Sequence, residues 1–212
     1  MKHGLPLAAL LSILGIASSV AAEDVRVTLD SSQTPALATW GEKAQAVLIE
    51  WHPRIANLLS SKDFVPPRDV TLILQKSDQG VGGTAGTRIF VSSHWVEKHP
   101  VDLGMVVHEL THVIQRYPRP QPVWVTEGIA DYIRWAIYEG KPQAWFPVPN
   151  KPQGYLASYR VTAGFFLWLE TDQAPGIVRR LNVAMRTGTY DPAIFENATG
   201  RSLDELWDAY RE

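Results

Sequence analysis

The chain contains no cysteine. That excludes disulfides, cysteine-ligated metals and thiol catalysis together. It also lacks any run of Lys and Arg, so nothing marks it as a nucleic-acid binder or as a protein held to an anionic membrane. No apolar stretch reaches the length of a bilayer span. Gly80-Val81-Gly82-Gly83-Thr84-Ala85-Gly86 is the one glycine-rich segment, and the Gly-Lys-Ser/Thr ending of a phosphate cradle is missing from it. Internal repeats and low-complexity tracts are absent as well. No histidine follows position 112.

What is present is the composition of a folded protein: 212 residues, 45% hydrophobic and 20% charged. The first 22 residues stand apart. Lys2 and His3 are followed by an apolar run from Leu5 to Ala17, then by Ser18-Ser19-Val20-Ala21-Ala22. Small residues at 20 and 22 suit signal-peptidase cleavage, and the run is too short to stay in a bilayer. The expectation is a signal peptide over 1–22, export to the periplasm or the extracellular space, and one domain over 23–212. Removal of Lys2 with that segment shifts the formal charge from −2 to −3.

Periodicity places the elements. Alternation predicts strands at 25–29, 70–74 and 87–92. Helical spacing predicts helices at 35–60, with Pro53 as a point of kinking or breakage, and at 101–117 and 123–138. Four more follow at 158–171, 175–187, 191–197 and 202–211. The glycine-rich segment 80–86 and the proline-rich segment 141–154 read as loops. Strands early and helices late describe an α+β chain. Six of the eight tryptophans sit at apolar helical positions and read as core. Trp145, in the proline-rich loop, reads as the exposed aromatic nearest to substrate.

The helix at 101–117 carries His108-Glu109-Leu110-Thr111-His112. Histidines four apart lie on one helical face, one turn from each other. Two imidazoles so placed can bind one zinc ion, with Glu109 beside it as general base. A catalytic zinc usually keeps three protein ligands and an open position. With no later histidine, the third ligand is most simply an acid. Glu127, on the next helix, follows a proline-rich turn that can set the two helices side by side. Asp131 is one turn beyond Glu127 on the same face, placed to accept the spare N–H of a ligand histidine. Zinc so held lowers the pKa of a bound water to about 7. Glu109 can then take its proton and deliver it to a leaving amine. His94 and His99 read as surface loop residues.

These residues carry a resemblance. His108 to Val113, Glu127-Gly128-Ile129-Ala130-Asp131-Tyr132, Tyr159 to Phe165 and Leu203 to Tyr210 look like the peptidase family of plants and bacteria that includes the plant basic secretory proteins. The resemblance implies a zincin-like fold of the gluzincin kind. A small mixed sheet would lie over the active-site helix, with a helical C-terminal subdomain. It implies one catalytic zinc on His108, His112 and Glu127, Glu109 as base, and a peptide or protein as substrate. It further implies that Thr87 to Ser92 is the sheet-edge strand that pairs with an extended peptide. Tyr159 is the candidate second donor to the oxyanion, with Tyr132 and Tyr155 as rivals. The chain departs from the pattern in being mildly acidic and in carrying Arg160 where an acid is expected after the tyrosine. Both bear on substrate preference rather than on the metal. The rival reading is a non-catalytic or weakly active binding module on the same scaffold, for which an intact Glu109 would be superfluous.

Overall fold

The computed structural model describes residues 25–119 and 121–212. The segment read as a signal peptide, 1–22, lies outside them. Four strands form one mixed sheet in the order β1-β2-β4-β3: β1 (Arg26–Asp30), β2 (Asp69–Gln75), β4 (Arg88–Ser92) and β3 (Gly82–Ala85). β1 and β2 are parallel, joined through helix α1 (Ala38–Leu58), and β2 and β4 are parallel in turn. β3 folds back antiparallel onto β4, pairing Gly83 with Phe90 and Thr84 with Ile89. β2 reads Val-Thr-Leu-Ile-Leu because it is interior: Val70, Leu72, Ile73 and Leu74 are all buried.

The edge strand is a correction. The strand read at 87–92 lies between β2 and β3, so it has no free edge on either side. The edge belongs to Gly82–Ala85, inside the segment read as a loop. Glycine has little strand propensity of its own, and here the pairing with β4 imposes the conformation. Gly82 also has no room for a side chain, since a Cβ there would stand 2.6 Å from Met105 Cε and 2.8 Å from the Phe90 carbonyl oxygen.

Helix α1 and the motif helix α3 (Gly104–Gln115) pack against the sheet and against each other. Pro53 leaves α1 unbroken. It lies on the solvent face near the exposed Ile49, where water can replace the hydrogen bond that proline removes. α3 starts later than its apolar pattern predicts, and a separate short helix, α2 (Ser93–Lys98), precedes it. Asp102 explains the break: its carboxylate accepts from Met105 N at 3.2 Å and from Trp95 Nε1 at 3.0 Å, and pairs with Arg134 at 2.8 Å. It thus serves the start of α3 from outside the helix. At the other end, Arg116 turns left-handed (φ 40°), and Arg186 donates to the Ile114 carbonyl at 3.0 Å, satisfying an end that has no further turn.

The second layer is helical. α4 (Val123–Asp131) widens into π-helical turns over Tyr132–Tyr138, and α5 (Tyr159–Trp168) does the same over Leu169–Gln173. α6 (Ile177–Thr187), α7 (Ala193–Thr199) and α8 (Leu203–Tyr210) complete it. Gly128 brings α4 hard against α5, where any Cβ would run into Thr162. A continuous core joins the layers, from Leu72 and Ile89 in the sheet through Val107 and Leu110 to Phe165 and Trp207. The α+β architecture matches the reading of the sequence. Of the six tryptophans expected in the core, Trp40 and Trp207 are buried, whereas Trp51, Trp124, Trp135 and Trp168 pack against its margin.

Candidate active site

α3 is buried along its whole length except at His108 and His112. Those two rings meet edge to face at 4.8 Å between centroids, with Nε2 atoms 3.1 Å apart. α4 lies alongside and delivers Glu127, whose Oε2 is 3.3 Å from His108 Nε2 and 3.5 Å from His112 Nε2. The three potential ligand atoms fall within 4.8 Å of one another, the only such group among the described residues. His94 and His99 are not part of it; the His99 ring packs on Trp95.

The outer nitrogens of both rings are engaged. His108 Nδ1 is 2.8 Å from Asp131 Oδ1, and His112 Nδ1 is 2.8 Å from Gln115 Oε1. Both partners are acceptors. The Gln115 amide is oriented by its own Nε2, which donates to the Thr126 carbonyl at 2.9 Å. Each Nδ1 must therefore carry the hydrogen, which leaves each neutral Nε2 with a lone pair pointing inward. When both rings are neutral, two lone pairs and a carboxylate oxygen converge on one point. Such a set could hold a metal cation, and two imidazoles with one carboxylate fit zinc.

Burial pulls His108 toward its neutral form, but the hydrogen bonds to Asp131 and Glu127 outweigh it and hold its pKa up to about 9. Burial pushes Glu127 up, yet the two histidines outweigh that and bring it down to about 2. These interactions favour a proton on His108 that a bound metal cation would displace.

Glu109 shares the cavity with this trio, reaches the sheet edge at Thr84 and is 8% exposed. The Thr84 hydroxyl on β3 lies 2.8 Å from Glu109 Oε2 and 3.0 Å from the Glu109 carbonyl oxygen. A cavity of about 510 Å³ opens here, bounded by β3 on one side and by Glu127, Tyr117 and Tyr159 on the other.

The tyrosines separate by position. Tyr159 lines the cavity and is 46% exposed. Tyr155 is buried with its hydroxyl committed to Asp204 at 2.9 Å, and Tyr132 is buried beside Glu170 around a different cavity. Tyr117, not singled out from the sequence, also borders the site, but its hydroxyl donates to Asn182 at 3.1 Å. Sequence reasoning likewise passed over Thr84 and Gln115. Gln115 was within reach of spacing, being three residues beyond His112 on the same helix. Thr84 was not, because its segment read as a loop.

Neither the curated proteins nor the solved structures searched include a significant match. A family model described as peptidase of plants and bacteria matches residues 22–210, nearly the whole chain, and the chain therefore belongs to that family of peptidases.

Proposed function

We propose that this chain is an exported, zinc-dependent peptidase of zincin-like fold, with one domain over residues 23–212. His108, His112 and Glu127 hold the metal, and Glu109 is the general base. The observation that carries this reading is the convergence of His108 Nε2, His112 Nε2 and a Glu127 carboxylate oxygen on one point, with both Nδ1 atoms already bound to acceptors. A motif helix beneath a mixed sheet, whose antiparallel edge strand borders the cavity, supports the zincin-like architecture.

A zinc ion held by His108, His112 and Glu127 would supply a Lewis acid and a water acidic enough to ionise near neutral pH. An extended peptide pairs with the free edge of β3, Gly82–Ala85, which lays its backbone along the cavity. Glu109 takes the water's proton at its carboxylate and returns it to the departing amine. The Thr84 hydroxyl holds that carboxylate in place. Tyr159 donates its phenolic hydrogen to the oxygen of the carbonyl under attack. Asp131 and Gln115 keep both imidazoles in the tautomer that faces the metal.

The test is metal content of the chain from residue 23, purified without chelator, beside Glu127→Ala and Glu109→Gln. The expected result is one zinc per wild-type chain, loss of tight binding in Glu127→Ala, and zinc retained without turnover in Glu109→Gln. Wild-type protein that takes up no zinc after reconstitution would overturn the metal site. Full turnover by Glu109→Gln would remove the proposed base.

A further inference from the structure

The site cavity does not end at Tyr159. That residue also borders an adjoining groove, which continues past Arg160 to Arg134 and Trp135. Most charged groups along this groove are already committed. Arg134 pairs with Asp102 at 2.8 Å and approaches Glu139 at 3.5 Å, Lys141 lies 3.5 Å from the same Glu139, and Asp131 is taken by His108 at 2.8 Å. Arg160 differs. No carboxylate among the described residues pairs with it. Its guanidinium lies over two indoles instead, 5.0 Å from the Trp135 centroid and 4.9 Å from that of Trp145. The two indoles in turn pack on each other at 4.9 Å.

This arrangement holds an exposed arginine still. A cation–π contact engages the flat face of a guanidinium and leaves the N–H groups at its edge free. Those edge donors match a carboxylate in a two-pronged fit, and a side chain already ordered loses little entropy on binding one. Arg160 also sits in the first turn of α5, where the helix end is itself electropositive, so two positive sources share one spot, and the acids that border the groove pair with other groups.

We infer that Arg160, supported by Trp135 and Trp145, forms a specificity subsite for a carboxylate on the peptide substrate, next to the bond that is cut. The inference rests on the peptidase reading above. The carboxylate belongs to an Asp or Glu side chain or to a free peptide terminus, and the two sources are separable by experiment.

The experiment is cleavage by the zinc-loaded chain of peptides blocked at both ends, with Glu, Gln or Lys scanned through positions beside the scissile bond. A parallel set carries free carboxyl termini. Wild type should favour Glu over Gln at one position by about tenfold in kcat/KM. A preference confined to the free-terminus set would identify the terminal carboxylate as what Arg160 recognises. The Glu-to-Gln ratio should fall to about one in Arg160→Gln and turn toward Lys in Arg160→Glu, with melting curves showing that both variants fold. An unchanged ratio in Arg160→Gln would overturn the subsite. A readout without turnover separates the two proposals: zinc-loaded Glu109→Gln should bind the Glu peptide about tenfold more tightly than its Gln counterpart, and adding Arg160→Gln should erase the difference. If wild type cuts nothing while that binding difference persists, the peptidase reading fails and the carboxylate site stands. Cutting with no Glu-over-Gln difference in either assay does the reverse.

Discussion

Gln115 Oε1 lies 2.8 Å from His112 Nδ1 while the same amide donates through Nε2 to the Thr126 carbonyl at 2.9 Å. One side chain thus ties the Nδ1-protonated form of a histidine on α3 to the backbone of α4. The helix that carries His112 and the helix that carries Glu127 are held in register by this one amide. Gln115→Ala should leave the chain folded and lower zinc affinity by about 10- to 100-fold. Competition titration against a zinc chelator measures this directly. Wild-type affinity in the variant would mean that the Glu127 side of the site orients itself without that link.

Thr84 gives a sharper kinetic expectation. Thr84→Val keeps the shape of the side chain and removes the hydroxyl that meets Glu109. The expected result is a fall in kcat of about tenfold or more with KM and melting temperature little changed, because the loss falls on the base and not on binding. Thr84→Ser should recover most of the rate. A variant with reduced stability and no serine rescue would assign Thr84 a packing role only.

Tyr159→Phe tests the assignment of the phenol to the developing oxyanion. Removing one such donor typically costs about 10²- to 10³-fold in kcat. Tyr155→Phe is the matched control: its hydroxyl serves Asp204, so the loss should appear in the melting temperature and not in kcat. Equal rates for wild type and Tyr159→Phe would move the role elsewhere in the cavity.

His52 sets a pH dependence remote from the site. It is buried in α1, with Nε2 2.6 Å from the Pro67 carbonyl oxygen. Burial lowers its pKa; the hydrogen bond to Pro67 works against this and nearby Arg68 works with it. The folded value therefore lies below that of the unfolded chain. Between the two, the unfolded state binds the extra proton, so stability rises with pH there. The contribution is complete above about pH 6.5 and is lost as pH falls toward the folded value. Urea unfolding from pH 7.5 downward should show wild type losing stability relative to His52→Gln as pH falls. Parallel curves for the two proteins would show that His52 is not the titrating group.

Much of the site was legible because it depends on local geometry. Histidines four apart share a helical face in any α-helix, and so do Glu127 and Asp131. The strands at β1, β2 and β4 and all the longer helices are marked by hydrophobic periodicity, which records which face each element buries. The edge strand was not legible. Gly82-Gly83-Thr84-Ala85 has neither alternation nor β-propensity, and its extended form comes from the hydrogen bonds of β4, its partner in space.

The sequence by itself determined that an α+β chain without cysteine would present two histidines and an acid on adjacent helices, because helical repeat and residue chemistry are properties of short segments. Only the tertiary structure decided that Thr84 meets Glu109, that Gln115 rather than a carboxylate holds His112, and that Arg160 rests on Trp135 and Trp145 without an acid to pair with. Each of these joins elements distant in the chain or selects among equivalent neighbours. Such choices are made by packing and by the pairing of buried polar groups, which no local pattern encodes.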